Sequence, residues 1–337
     1  SIMSKPRRAG QLAMLRDGRS GGLVTDSAAC AEVASAYLTA VSGPSSCVPA
    51  DRERVLAAVR AHAACLAPDH AAAVAERAVT AAEVQKAAGG LRPGTVPGSD
   101  GIPGAVWKLG GRVLQPLLTR LCCAVGASLR VPAGFLDGQV IVAHKGGDAA
   151  EIANYRPLTM LNSDYRVLAR VLADRLARAL SRVIPPEQSA FLPGRSIGSN
   201  IHALQLLPAA LQAQSGQPGL PDAGAVAFLD FAKAYDTVDR EFLYAMLDTV
   251  GGTRVVPWVR LLLTNTRAVV VVNGTASRQA EWVSGVRQGC PLSPVLYLLV
   301  PWALSCWLRA QEGLGLRVGG QLAFCVMYAD DVQVLLR

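Results

Sequence analysis

The sequence predicts an α+β protein in which helices cover one face of a sheet. Three observations carry that reading. From Ala225 onward the pattern runs strand, helix, hairpin, helix, hairpin. What precedes it is mostly Ala- and Leu-rich sequence at helical spacing, broken by Gly and Pro. Finally, 51% of the 337 residues are hydrophobic and 17% charged, which excludes a disordered chain and allows a large core without metal or disulfide staples.

Taken in order, residues 1–22 are rich in Arg, Gly and Ser and read as a flexible lead-in. Residues 23–85 read as a helical N-terminal extension. It starts at Thr25-Asp26, breaks near Gly43-Pro44 and Pro68, and carries little functional signal. A Gly- and Pro-dense loop spans Arg92 to Pro103, and one or two helices interrupted around Pro116 cover Ala105 to Leu129. Gly138 to Ala143 is a strand leading into the loop His144 to Asp148. Asn162 or Ser163 caps a helix with an apolar stripe at Leu168, Val171, Leu172, Leu176, Leu180 and Val183, ended by Pro185. Arg166, Arg170, Arg175, Arg178 and Arg182 lie off that stripe and read as a solvated face. A loop at 184–197, a helix to Gln214 and a surface linker at 215–224 follow.

Ala225 to Phe231 suits a buried strand interrupted by Asp230, and Thr237 to Val250 a helix. Arg267 to Val272, Asn273-Gly274 and Ser277 to Val283 form a hairpin signal. Ser293 to Leu308 reads as an apolar helix. Leu322 to Met327 and Val332 to Leu336 make a second hairpin with Tyr328-Ala329-Asp330-Asp331 at its turn.

Charge and cysteine content narrow the function classes. The formal net charge is +8, carried largely by arginine, which favours a polyanionic partner. The eight cysteines show no CxxC pair and no His-linked spacing, so they read as buried free thiols in a reducing compartment. The longest uncharged run, Gln288 to Leu308, contains Pro291, Pro294 and Pro301 and reads as a turn into a buried helix, not a membrane span. No secretory leader is legible at the N-terminus.

The chemistry concentrates in carboxylates. Asp230 interrupts an apolar strand, and Asp330 and Asp331 sit together at a tight turn. Such acids are either turn residues satisfied by backbone amides or repelling neighbours stabilised by a cation. If the hairpin lies beside the Asp230 strand, the three converge, and hard oxygen ligands of that kind suit Mg²⁺. Two ions there would clamp an in-line phosphoryl transfer.

At these residues the sequence becomes recognisable. FLDFAKAYDTV (228–238), VRQGCPLSP (286–294) and YADD (328–331) closely resemble motifs A, B and C of reverse transcriptases. PGSDGIP (97–103), the stretch from His144 to Leu176 and EQSAFLPGRSIGSNI (187–201) resemble finger motifs of the non-LTR, LINE-type retrotransposon branch. The six stretches occur in order across about three quarters of the chain.

The resemblance implies a right-hand polymerase: fingers over 86–224 and an incomplete palm over 225–337, an RRM-like antiparallel sheet with helices on one face, with the thumb absent. It implies an RNA-directed DNA polymerase that uses Mg²⁺, or Mn²⁺, to join dNTPs to a DNA primer on an RNA template. Asp230, Asp330 and Asp331 match the metal-binding catalytic carboxylates. Tyr235, with Phe231 beside the first acid, matches the aromatic gate that clashes with a ribose 2′-OH. Gln288 and Gly289 match residues beneath the incoming nucleotide and template base, and Lys145 and Arg156 the cations that hold the triphosphate.

Departures are His144 where the family usually has Pro, and Thr95-Val96 where a basic residue is common. The chain stops six residues after Asp331 and has no initiating methionine, so the expectation is a fragment of a longer reading frame. Alternatives are a group II intron-type reverse transcriptase with a maturase role, and an inactive RNA-binding remnant. Family habit implies a nuclear location, and no membrane partner is expected.

Overall fold

The computed structural model describes residues 11–92, 94–216, 224–318 and 321–336. Residues 1–10 of the expected lead-in and 217–223 of the expected linker lie outside them. The rest of the lead-in is part of the fold. Strands β1 (Leu15–Arg16) and β2 (Leu23–Val24) pair as a ribbon, and Leu15 is fully buried. Helix α1 (Ser27–Val41) starts where the sequence signals it, with the Asp26 carboxylate accepting from the Ala29 N–H.

Helices α2 (Pro49–His62), α3 (Pro68–Ala75) and α4 (Ala81–Gly89) follow. α4 opens on a capping box: the Thr80 hydroxyl accepts from the Glu83 N–H, and the Glu83 carboxylate accepts from the Thr80 N–H. The interruption expected at Pro116 falls instead at Gly110, between α5 (Gly104–Leu109) and α6 (Gly111–Ser128). Pro116 lies inside α6, where it forfeits a backbone bond without ending the helix.

Strand β3 (Gly138–His144) turns back into β4 (Tyr155–Leu161), a strand that periodicity did not reveal. Helix α7 (Ser163–Leu180) is wrapped on nearly every side, so its arginines do not form one solvated face. Arg175 is buried, its guanidinium bonded to Glu83 and to the carbonyls of Val74, Arg77 and Ala78.

After α8 (Ile197–Gln214) come β5 (Ala225–Leu229), α9 (Arg240–Thr249), α10 (Val256–Leu263) and β6 (Arg267–Val272). The return arm of the hairpin is split into β7 (Thr275–Ala276) and β8 (Ala280–Glu281). The apolar helix is likewise two, α11 (Ser293–Tyr297) and α12 (Leu299–Arg309). Strands β9 (Leu316–Val318) and β10 (Gln321–Ala323) form a ribbon, and β11 (Cys325–Tyr328) and β12 (Asp331–Leu336) the last hairpin.

The single sheet expected from the C-terminal pattern resolves into two sheets and the β9–β10 ribbon, and the strand expected at Leu322–Met327 is divided between β10 and β11. β6 joins β3 in parallel, and with β4, β7 and β8 they form a five-stranded mixed sheet. β11, β12 and β5 form a separate antiparallel sheet in that order. The strand β5, expected to be buried, is its edge. Ala227 faces the cluster built by Leu308, Cys325, Met327, Val332 and Val334, while the alternate residue Phe228 is 73% exposed. The fold is thus α+β, with its largest core spread from α2 to α12. Five of the eight cysteines are buried and all are free, and among the described residues no helix is long and apolar enough to cross a membrane.

Candidate active site

The register of the three-stranded sheet sets the carboxylates. Val332 pairs with Leu229, so one step further Asp331 lies opposite Asp230 at the strand ends. Tyr328 pairs with Asp331 across the turn Ala329-Asp330, in which Ala329 has φ +53°, a left-handed conformation unusual for a residue with a side chain. The Ala329 N–H donates to the Gln188 side-chain oxygen at 3.1 Å, fixing the turn from outside the hairpin.

Asp230 and Asp330 line a cleft of about 740 Å³ together with Lys145, Arg156, Phe231, Tyr235, Gln288 and Gly289. Eight of the nine residues singled out from the sequence therefore meet in one place. The exception is Asp331, which is exposed at the start of β12 and does not line the cleft. Among the described residues no three acidic, His or Cys side chains form a metal-sized cluster. The convergence expected of the three carboxylates thus holds for the backbone, while like charges favour keeping the side chains apart. Two cleft carboxylates still fit Mg²⁺, which characteristically takes one or two carboxylates and completes its shell with water and substrate phosphates.

The cationic wall comes from the β3–β4 hairpin. His144 pairs with Tyr155, its ring 5.0 Å away, and Ala143 pairs with Arg156. Lys145 follows His144 directly, its N–H donating to the Asn154 carbonyl at 2.9 Å. Among the described residues neither Lys145 nor Arg156 is engaged in an ion pair.

The floor is stitched from three segments. The Val286 N–H donates to the Tyr235 carbonyl, Gly285 N–H to Val238, and Thr159 N–H of β4 to the Gln288 carbonyl. Gly289 has φ +118°, and a Cβ there would collide with the Thr159 carbonyl oxygen, so the close approach that requires glycine is to β4. Tyr235 stacks on Tyr297, centroids 4.6 Å apart and planes at 12°. Burial, and the charge of Asp330, push both phenols well above their ordinary range.

Sequence reasoning missed several residues here. Both Asp236 carboxylate oxygens accept from Gln288 Nε2, at 2.9 and 3.1 Å. Burial raises the Asp236 pKa, opposed by that hydrogen bond and by Lys233, Lys145 and Arg156. Lys233 stands 4.6 Å over the Tyr37 ring, and Tyr37, Leu38 and Val41 of α1 line the cleft, so α1 forms part of the site's wall. The signal for Asp236 was its place in the AYDTV stretch; nothing local marked Tyr37.

Residues 143–337, more than half of the chain, match the family model described as reverse transcriptase (RNA-dependent DNA polymerase). The chain belongs to that family. Its relatives there are proteins of non-LTR elements. It is 30% identical over 240 residues to a Xenopus laevis protein named Transposon TX1 uncharacterized 149 kDa protein, a stretch covering 70% of this chain and 18% of that one. It is 29% identical over 263 residues to the Pol polyprotein of the type-1 element R2 of Popillia japonica, covering 77% and 35% respectively. It is 24% identical over 209 residues to the RNA-directed DNA polymerase of the mobile element jockey of Drosophila melanogaster, 61% of this chain and 22% of the relative. The chain thus spans only about a fifth to a third of the length of these relatives.

Proposed function

We propose that the chain is the RNA-directed DNA polymerase domain of a LINE-type retroelement, extending a DNA primer on an RNA template from dNTPs. The observation that carries this reading is one cleft holding two carboxylates, Asp230 and Asp330, opposite two cations, Lys145 and Arg156, with Tyr235 and Gln288 between. In this reading the β11–β12–β5 sheet and its helices are the palm. The β3–β4 hairpin belongs to the fingers, which 86–224 would supply together with β6, since β6 pairs with β3. The helices of 23–85 form an extension against both, and the nucleus is the expected site of action.

Asp230 and Asp330, joined by a rotated Asp331, would hold Mg²⁺ or Mn²⁺, which when bound supplies Lewis acidity and charge neutralisation at the transferring phosphate. Lys145 and Arg156 bind the triphosphate, the guanidinium offering a rigid donor fork. Tyr235, braced by Tyr297, closes the space a 2′-hydroxyl would need. Gln288, oriented by Asp236, meets the nucleotide from below. The primer 3′-hydroxyl then attacks the α-phosphate, and pyrophosphate leaves along the cationic wall.

Primer extension on primed RNA, with dNTP binding by calorimetry as a second readout, tests this. Both should require Mg²⁺ or Mn²⁺, and Asp230→Ala or Asp330→Ala should abolish extension; near wild-type synthesis by Asp230→Ala would overturn the assignment.

A further inference from the structure

The loop joining α7 to α8 presents an aromatic ring beside the turn that carries Asp330. Phe191 lines the cleft yet is 44% exposed, so burial does not account for it. Its backbone has φ +56°, a conformation that a bulky residue rarely adopts and glycine adopts freely. The ring lies 6.1 Å from that of Tyr328, tilted by 45°.

Hydrogen bonds hold the loop on both sides of Phe191. The Met327 carbonyl accepts from the Ser189 N–H at 3.0 Å and from Asn200 Nδ2 at 2.7 Å, and the Met327 N–H donates to Glu187 at 2.8 Å. Gln188 Oε1 accepts from the N–H groups of Ala190 and Ala329. The Arg195 guanidinium donates to four carbonyls at the base of the loop, those of Ser181, Ile184, Pro185 and Gln188. A strained backbone, over-determined by its surroundings and presenting an exposed ring to a cleft, marks a functional position.

We propose that Phe191 is a stacking platform for the priming strand, its ring meeting the base or sugar of the nucleotide that bears the 3′-hydroxyl. This rests on the polymerase reading of the cleft. The priming strand is the better occupant because its 3′ end must reach Asp230 and Asp330, and Phe191 touches Tyr328, two residues before Asp330. Gln288 and Gly289, by contrast, sit on the floor against β4. Stacking on an aromatic ring tolerates sequence because every base has a π-face, as a primer contact requires.

The test dissociates stability from binding. Phe191→Gly removes the ring but suits the local φ, so the variant should still melt cooperatively, within a few degrees of wild type. Its affinity for a primed RNA template should fall about tenfold, with KM for dNTP unchanged, and Phe191→Tyr should restore the affinity. A 2-aminopurine at the priming 3′ end should be brighter on the Gly variant than on wild type. Wild-type affinity in Phe191→Gly, a loss shared equally by Phe191→Tyr, or a fluorescence response confined to a probe in the template strand would each overturn the proposal. If wild type itself neither binds nor extends a primer, the polymerase reading fails and this inference with it; if wild type extends normally and Phe191→Gly matches it, only this inference fails.

Discussion

Tyr235 acts as a gate only if its ring cannot yield, and the structure supplies the brace: Tyr297 lies flat against it at 4.6 Å. Tyr235→Ala should therefore raise the kcat/KM for a matched rNTP relative to dNTP, because a clash is removed and no contact to the 2′-hydroxyl is needed. Tyr297→Leu should move the ratio the same way by less. An unchanged ratio in both would make Tyr235 a packing residue. Across the cleft, Arg156→Ala should cut kcat/KM for dNTP by ~10²-fold if the guanidinium meets charge that develops on the triphosphate. Loss of primer–template affinity with normal nucleotide kinetics would assign Arg156 to the template instead. Asp230 and Asp330 were legible through the ordered stretches that hold them and, for Asp330, as one of a doubled acid at a tight turn; burial was not the signal, because β5 is an edge strand and Asp230 is exposed. Asp236 and Phe191 stood inside the recognised stretches with no role of their own marked there. An acid just before a helix and an aromatic in a loop are ordinary locally. Their meaning comes from Gln288, 52 positions on, and from the hairpin at Tyr328.

Helix α7 shows what periodicity can and cannot deliver. The stripe Leu168, Leu172, Leu176 and Leu180 is buried as its spacing demands. Amphipathic logic assigns the other face to water, but α3 and α4 pack there too, and Arg175 becomes the tie between them. Its partner Glu83 also closes the capping box of α4, and the guanidinium beside it holds the Glu83 carboxyl at about 2, against an ordinary 4.5. A depressed carboxylate stabilises the fold fully above its unfolded pKa and loses that contribution as pH falls through its folded one. Glu83→Gln should thus cost up to about 3 kcal/mol at neutral pH. The gap to wild type should shrink below pH 4.5 and close near pH 2, with stability read by denaturant titration at each pH. A pH-independent gap would mean that the helix cap, not the ion pair, is what the substitution removes.

At the scale of the whole molecule, the family match begins at residue 143, inside β3, yet the packing ignores that boundary. Leu15, Cys30, Ala34 and Leu38 share a cluster with Val270 and Val272 of β6. Leu56, Val59, Val74, Val84, Leu118 and Val125 belong to the main core beside Tyr165 of α7 and Trp302 of α12. The link was not legible in the sequence, because an Ala-rich helix advertises an apolar face without saying what it covers. The parallel pairing of β3 with β6 likewise joins residues about 130 positions apart. A fully buried Leu or Val stabilises by roughly 1.5–3 kcal/mol. Uncovering the partners of Leu15, Leu38, Leu56, Val59, Val84, Leu118 and Val125 therefore removes on the order of 10 kcal/mol, comparable with the whole net stability of a typical domain, about 5–15 kcal/mol. Residues 143–337 alone should then show no cooperative thermal transition and should expose apolar surface to a hydrophobic dye, whereas residues 1–337 melt cooperatively. Removing residues 1–42 should have the same character in milder form, since it strips α1 from the five-stranded sheet and Tyr37 from the cleft. A cooperative melt of the 143–337 fragment, with its Tm near that of the full chain, would show that the N-terminal helices are an appendage and that the shared core contributes far less than its burial implies.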